Sequence, residues 1–232
     1  MAQRGKGKDL VIAIDGPAGA GKSTIARLVA ARLGLRYIDT GAMYRALTLK
    51  ALRSGVDCDD AAGLIELLAR SKFEFPVASS PENQAILLDG EDVSAQIRLP
   101  EVSQKVSRVA MVPQVRRELV RSQRELAAQG GIVMDGRDIG TVVLPEADIK
   151  IFLTASLEER ARRRFLELQQ KGIPATLDEV KREIAARDKL DAEREVSPLQ
   201  AAPDAVIIDT TALTPAEVVA QIIHLCCERG EG

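Results

Sequence analysis

This sequence predicts a three-layer α/β fold, a parallel sheet with helices on both faces, and three observations predict it. A glycine loop lies between an apolar, strand-like run and a helical pattern near the start of the chain. Four further apolar runs of β type recur, at Leu35–Ile38, Ile132–Met134, Ile149–Leu153 and Val206–Ile208, with helical patterns between them. One long excursion, residues 40–128, interrupts the alternation.

The elements follow in order. Met1–Asp9 is basic and glycine-rich, and no apolar stretch of signal-peptide length follows it, so it reads as a disordered tail. Leu10–Ile14 reads as a buried strand, and Thr24–Leu33 as a helix with Ile25, Leu28, Val29 and Leu33 on one face. Between them, Gly16-Pro17-Ala18-Gly19-Ala20-Gly21-Lys22-Ser23 fits G-x-x-x-x-G-K-[ST]. Glycines let the backbone curl with its N–H groups inward, and the following helix N-terminus adds positive potential. Lys22 supplies a mobile charge for outer phosphates, and the Ser23 hydroxyl stands where it would ligate Mg²⁺. The loop therefore predicts a nucleoside triphosphate site and leaves motor, switch, ligase and kinase open.

Gly34 and Gly55 stand where helix C-caps belong. Residues 73–77 and 85–94 read as short antiparallel strands, with Asp89-Gly90 as a hairpin turn. Helical patterns follow at about 99–110 and 114–128. The excursion's size and its own apolar pattern favour a moving subdomain. Ser156-x-x-Glu159 and Thr176-x-x-Glu179 both read as capping boxes.

Composition excludes several classes. The net charge of −2 suggests no polyanion partner, and 3% aromatics without Trp argue against a base-stacking nucleic-acid platform. No run approaches membrane-spanning length. Cys58, Cys226 and Cys227 lack metal spacing; the adjacent pair read as packing residues of a terminal helix, and His224 beside them reads as structural. A reduced cytoplasm and a monomer are the expectation.

Four more stretches carry charge of a particular kind. In "GIVMDGRDIG" the apolar run ends at Asp135, as a metal-proximal acid at a strand's C-terminal end would, although an Asp-Gly turn would also place an Asp there. Arg137 and Asp138 add a cation and an acid at the same edge. "DTGAMYRAL" brings Tyr44 and Arg45 near a helix start. "SLEERARRRFLELQQKG" places Arg160 at i, i+3 and i, i+4 from Arg163 and Arg164, which could equally pair with Glu158, Glu159 and Glu167 on a solvated face. "ARDKLDAER" puts Arg187, Asp191 and Arg194 on one helical face, again with an exposed ion-pair helix as the plain alternative. Phosphoryl transfer between two phosphates gives these groups a common reason. Both reactants are anions, Arg grips phosphate in a bidentate way, and the reaction needs positioning more than covalent chemistry.

"IDGPAGAGKST", "DTGAMYR", "DGRDIGTVV", "IKIFLTAS" with "ERARRR", and "RDKLDAER" together resemble the bacterial cytidylate kinase family, from about residue 10 to 225. The resemblance implies a five-stranded parallel core, an NMP-binding arm and a lid. The core would be 10–39, 129–155 and 196–232, the arm 40–128 with an insert at about 63–110, and the lid with its flanking helices 156–195. It implies ATP with Mg²⁺ as donor and CMP or dCMP as acceptor. Residues Gly16 to Thr24 would hold ATP, with Arg160, Arg163 and Arg164 as lid arginines. Arg45, Arg137 and Arg187 would clamp the acceptor phosphate, Asp191 and Arg187 would lie near the ribose, and Ser107, Arg116 and Asp138 would read the cytosine edge. Thr40, Tyr44 and Arg194 complete the implied CMP site; Thr40 keeps a hydroxyl where some relatives have Ser. Lys22, Arg137, Asp138 and Arg187 would be catalytic, and Ser23 and Asp135 would face the metal.

The base assignment agrees with chemistry. Cytosine offers a 4-amino donor with N3 and O2 as acceptors, which suits a carboxylate, an Arg and a hydroxyl. Uracil would turn a carbonyl toward Asp138, and an unpaired buried polar group costs ~1–3 kcal/mol. Alternatives are a kinase for another small acceptor, such as another NMP or shikimate, and a nucleotide-binding switch. The sequence speaks against a guanine-reading N-K-x-D, because its single Asn, Asn83, precedes Gln84.

Overall fold

The computed structural model describes residues 10–76 and 84–230, with side chains to residue 228. The expectations for Met1–Asp9, Val77 and Asn83 lie outside these residues. Five strands form the main sheet: β1 (Val11–Asp15), β2 (Arg36–Asp39), β6 (Ile132–Gly136), β7 (Ile149–Thr154) and β8 (Val206–Asp209). Their order is β2-β6-β1-β7-β8, and every pairing is parallel. The five apolar runs are these five strands.

Alternation along the strands sorts the sheet's two faces. Ile12, Ile14, Val133, Ile151 and Leu153 pack on one face with α1 (Lys22–Leu33) and α8 (Pro215–Gly230). Ala13, Ile132 and Met134 pack on the other with Val120 and Ala127 of α5 (Pro113–Ala127). The register sets Asp15 beside Gly136 and Asp39 beside Asp135, so acids collect at one C-terminal edge.

The excursion builds a core of its own. Apolar side chains from Ala42 to Leu119 cluster among α2 (Thr40–Ser54), α3 (Ala61–Ala69), α4 (Pro100–Met111) and the start of α5. A three-stranded antiparallel sheet joins them: β3 (Phe73–Glu74), β4 (Leu87–Leu88) and β5 (Glu91–Asp92). Asp89 and Gly90 both take positive φ, 53° and 87°, which a two-residue hairpin turn requires. β3 is shorter than the sequence suggests; Pro76 brings no N–H to extend it. Both α4 and α5 begin on a proline, whose missing N–H costs nothing at a first turn.

α6 (Leu157–Gln170) and α7 (Leu177–Glu193) pack together through Ala161, Leu168, Val180 and Ile184. Thr176 and Glu179 form the expected reciprocal capping box. At Ser156 only half forms: its hydroxyl accepts from the Glu159 amide, but the Glu159 carboxylate turns to Arg162 and Arg163. Two stronger charged partners outbid one backbone amide. Two expectations at the terminal helix need correcting: Cys227 and His224 are exposed, with His224 Nε2 3.4 Å from Glu228, and only Cys226 packs inward.

Candidate active site

The phosphate loop is built by backbone geometry. Gly16 has φ +146°, and a Cβ there would stand 2.0 Å from the Leu153 carbonyl oxygen of β7. Gly21, at φ +88°, caps α1, which starts at Lys22 rather than Thr24, so Lys22 and Ser23 lie in its first turn. The Lys22 ammonium donates to the Pro17 carbonyl at 2.7 Å. Burial, and then Arg137, hold its pKa well below the lysine range.

Asp135 is the penultimate residue of β6, beside that loop. Its carboxylate accepts from the Ser23 hydroxyl at 3.0 Å and the Tyr37 hydroxyl at 2.7 Å, and its carbonyl accepts from Thr40 at 2.8 Å. Burial, and then Asp39, push its pKa up to about 6. Such a carboxylate gains from a neighbouring cation.

Around this edge the arginines gather. The Arg137 Nε donates to Asp191 at 2.8 Å, and the Arg187 Nε is 3.9 Å from the same carboxylate. Burial opposes ionisation of Asp191, but Arg137 and Arg187 hold its pKa below the usual value. Arg45 donates to Ser103 Oγ at 2.8 Å, and Arg98 to Asp39 at 2.5 Å. Burial, then Arg187 and Arg98, push Arg45 well down; burial, then Arg137, bring Arg187 to about 10. These cations repel one another, and the buried Arg187 Nε lacks a hydrogen-bond acceptor. An anion among them would relieve both costs.

A second cluster adjoins the first. Arg116 donates to the Asp138 carboxylate and lies over the Tyr44 ring at 5.6 Å. The Arg194 guanidinium is 3.9 Å from the other Asp138 oxygen, and both arginines carry buried nitrogens without an acceptor. Ser107 is buried on α4 but stands outside these hydrogen bonds.

Two expectations change. Arg194 has left the helical face it was to share with Arg187 and Asp191. α7 ends at Glu193, and Arg194 turns extended, its Nε donating to the Ser197 carbonyl. Of the α6 arginines, Arg164 pairs with Glu167, and Arg163 with Glu159 and the Thr210 carbonyl. Arg160 does neither: it is buried, donating to Ala155 O (3.0 Å), Ala18 O (3.1 Å) and Asp188 (2.5 Å).

Sequence reasoning passed over Asp15, Tyr37, Asp39, Arg98 and Asp188. Asp15 and Asp39 had a signal, since "VIAID" and "RYID" end on an acid just as "IVMD" does. Arg98 and Asp188 had none, because their partners come from other elements.

Known proteins bear on this geometry. The sequence model described as Cytidylate kinase matches residues 12–228. A protein named Cytidylate kinase from Geobacillus thermodenitrificans is 56% identical over 220 residues, covering 95% of this chain and 97% of its own. Another of that name from Bacillus cytotoxicus is 54% identical over 221 residues, covering 95% and 97%. Among solved structures, a gluconokinase from Sinorhizobium meliloti aligns with TM-score 0.51 at 14% identity, covering 97% of this chain and 95% of that one. That last likeness speaks for the fold alone.

Proposed function

This chain belongs to the cytidylate kinase family, and on that premise we infer that it transfers a phosphoryl group from ATP to CMP or dCMP, giving ADP and CDP or dCDP. One observation carries the assignment of roles: two cationic clusters share one sheet edge beside a phosphate loop, the first with a buried donor lacking an acceptor at Arg187 and the second with one each at Arg116 and Arg194. One cluster suits the acceptor phosphate, the other a base.

In this reading the loop amides of residues 16–23 and Lys22 hold the β- and γ-phosphates. Arg45, Arg137 and Arg187 hold the acceptor phosphate in line. An acceptor phosphate oxygen is already a nucleophile, so no strong base is needed. Developing charge on the transferring group meets Arg137 and Arg187, held beside Asp191 before the reaction, and Lys22, which first leaves the Pro17 carbonyl. Asp191 keeps Arg137 and Arg187 aimed. Asp138, steered by Arg116 and Arg194, accepts from the cytosine amino group, with Tyr44 and Ser107 beside the base and Thr40 at the acceptor side. Arg163 and Arg164 face the donor phosphates from α6, where the observed Glu159 and Glu167 pairings must first open. For Arg160 the bonds to Ala18 and Asp188 favour holding the loop over touching ATP.

Mg²⁺ suits the residues present. The Ser23 hydroxyl and Asp135 carboxylate are hard oxygen donors 3.0 Å apart. Among the described residues no trio of His, Cys, Asp or Glu could hold a metal alone, so phosphate oxygens would complete the shell. When bound, the ion would neutralise phosphate charge. Three free cysteines support a reducing compartment, and we place the enzyme in the cytoplasm as a monomer. No described helix is long and apolar enough to cross a membrane.

The test is ADP formation with ATP-Mg²⁺ against CMP, dCMP, UMP, AMP, GMP and shikimate. Turnover favouring CMP and dCMP is expected. UMP used as fast as CMP would remove the base-reading role of Asp138.

A further inference from the structure

The chain from Arg137 to Leu144 makes one wide turn at Ile139–Val143. The Asp138 carbonyl accepts the amides of Val142 and Val143 at 2.9 and 3.1 Å, and Ile139 accepts from Leu144 at 2.7 Å. A turn of this width is less regular than an α-helical one and needs support from outside. Two side chains supply it. Arg124 of α5 donates to the Val142 and Val143 carbonyls at 2.6 and 3.0 Å. Asp15, the last residue of β1, accepts the Ile139 amide on one oxygen at 2.8 Å and the Gly140 amide on the other at 2.7 Å. It is 3% exposed and stands one residue before Gly16 of the phosphate loop.

We propose that Asp15 is a positioning residue for the acceptor site: by gripping the Ile139 and Gly140 amides from the root of the phosphate loop, it fixes where Arg137 and Asp138 stand relative to ATP. The proposal rests on the function inferred above and assigns that site a residue that touches neither substrate. The charge matters, because a carboxylate offers an acceptor to each amide. An asparagine offers one, and turns an NH₂ against the other N–H. Lys22 and Asp138 are the charged groups facing Asp15. Neither replaces those two bonds.

The experiment compares wild type, Asp15→Asn and Arg124→Ala, each first shown to be folded by circular dichroism. Steady-state constants are measured for ATP, CMP and UMP, and amide hydrogen exchange is followed in the peptide spanning residues 137–144. Wild type that ignores CMP would sink the inferred function, whereas the exchange result stands apart from activity. Asp15→Asn should raise KM for CMP about tenfold, leave KM for ATP within about threefold, and narrow the CMP-over-UMP preference. Exchange at Ile139 and Gly140 should speed up. Arg124→Ala should act in the same direction but more weakly, since it frees the far end of the turn. Equal rises in both KM values, or unchanged CMP constants with unchanged exchange, would overturn the proposal. Should Asp15→Asn not fold, an unaltered KM for CMP in Arg124→Ala would overturn it as well.

Discussion

Replacing Asp138 by Asn tests the proposed base-reading role of its cluster most directly. The Asp138 side chain is 8% exposed and is the shared counter-charge of Arg116 and Arg194, whose side chains are 3% and 4% exposed. An asparagine keeps an acceptor for Arg116 but loses the charge. Toward the base it can present an NH₂ where the wild type presents an acceptor. Cytosine's amino group then meets a donor, while uracil's 4-carbonyl meets a partner. One mispaired buried polar group is worth about 1–3 kcal/mol, roughly 5- to 150-fold in kcat/KM. CMP should therefore lose about that much and UMP should gain or hold. Full removal in Asp138→Ala leaves two buried cations unbalanced, costing about 3–5 kcal/mol, or roughly 10 °C in Tm for a chain of this size. The assay is kcat/KM for CMP and UMP at saturating ATP, well below each variant's Tm. A CMP-to-UMP ratio unchanged in Asp138→Asn would refute the reasoning, because repulsion at position 4 is its whole basis.

Asp15 gives a stability signature of opposite sign to its activity role. Burial lifts its pKa from 3.8 to about 6, so between those values the folded state binds a proton that the unfolded state lacks. Stability from this group is full below pH ~4 and falls by about 3 kcal/mol as pH rises past 6. Urea melts at pH 4.5 and 7 should show wild type losing ground to Asp15→Asn across that window; a constant gap would exclude it. Gly16→Ala should cost on the order of 3 kcal/mol and abolish ATP use, since its Cβ meets the Leu153 carbonyl oxygen at 2.0 Å and φ is +146°; a wild-type Tm would contradict this. Tyr37→Phe removes the 2.7 Å bond that orients Asp135 and should raise the Mg²⁺ needed for half-maximal rate about tenfold, read by metal titration. Arg160→Ala removes the guanidinium hydrogen-bonded to Asp188 and frees Ala18, and should lower Tm by roughly 10 °C; a shift under 2 °C would return Arg160 to the solvated face of α6.

The parts of the site that were legible in the sequence are those made by neighbours in the chain. The glycine loop carries its own backbone requirement, and Thr176 with Glu179 closes its box within one turn. Ser156 shows where such reading stops: the same four-residue spacing half fails, because Arg162 and Arg163 compete for Glu159. Arg160 shows it again. Its sequence neighbours offer glutamates on the same helix, yet its guanidinium turns inward to Ala18 and Asp188, 142 and 28 residues away.

The sequence by itself determined the five strands of the main sheet, the phosphate loop and the hairpin at Asp89-Gly90, since each is encoded in contiguous residues and period, while the family resemblance was carried by separate motifs along the chain. The tertiary structure alone decided which charges meet. The strand order β2-β6-β1 sets Asp39, Asp135 and Asp15 along one edge, and α7 brings Asp191 to Arg137 across 54 residues. Electrostatic energy depends on distance and burial, not on separation along the chain, so the same arginines read as a solvated face or as an anion site until the fold places them.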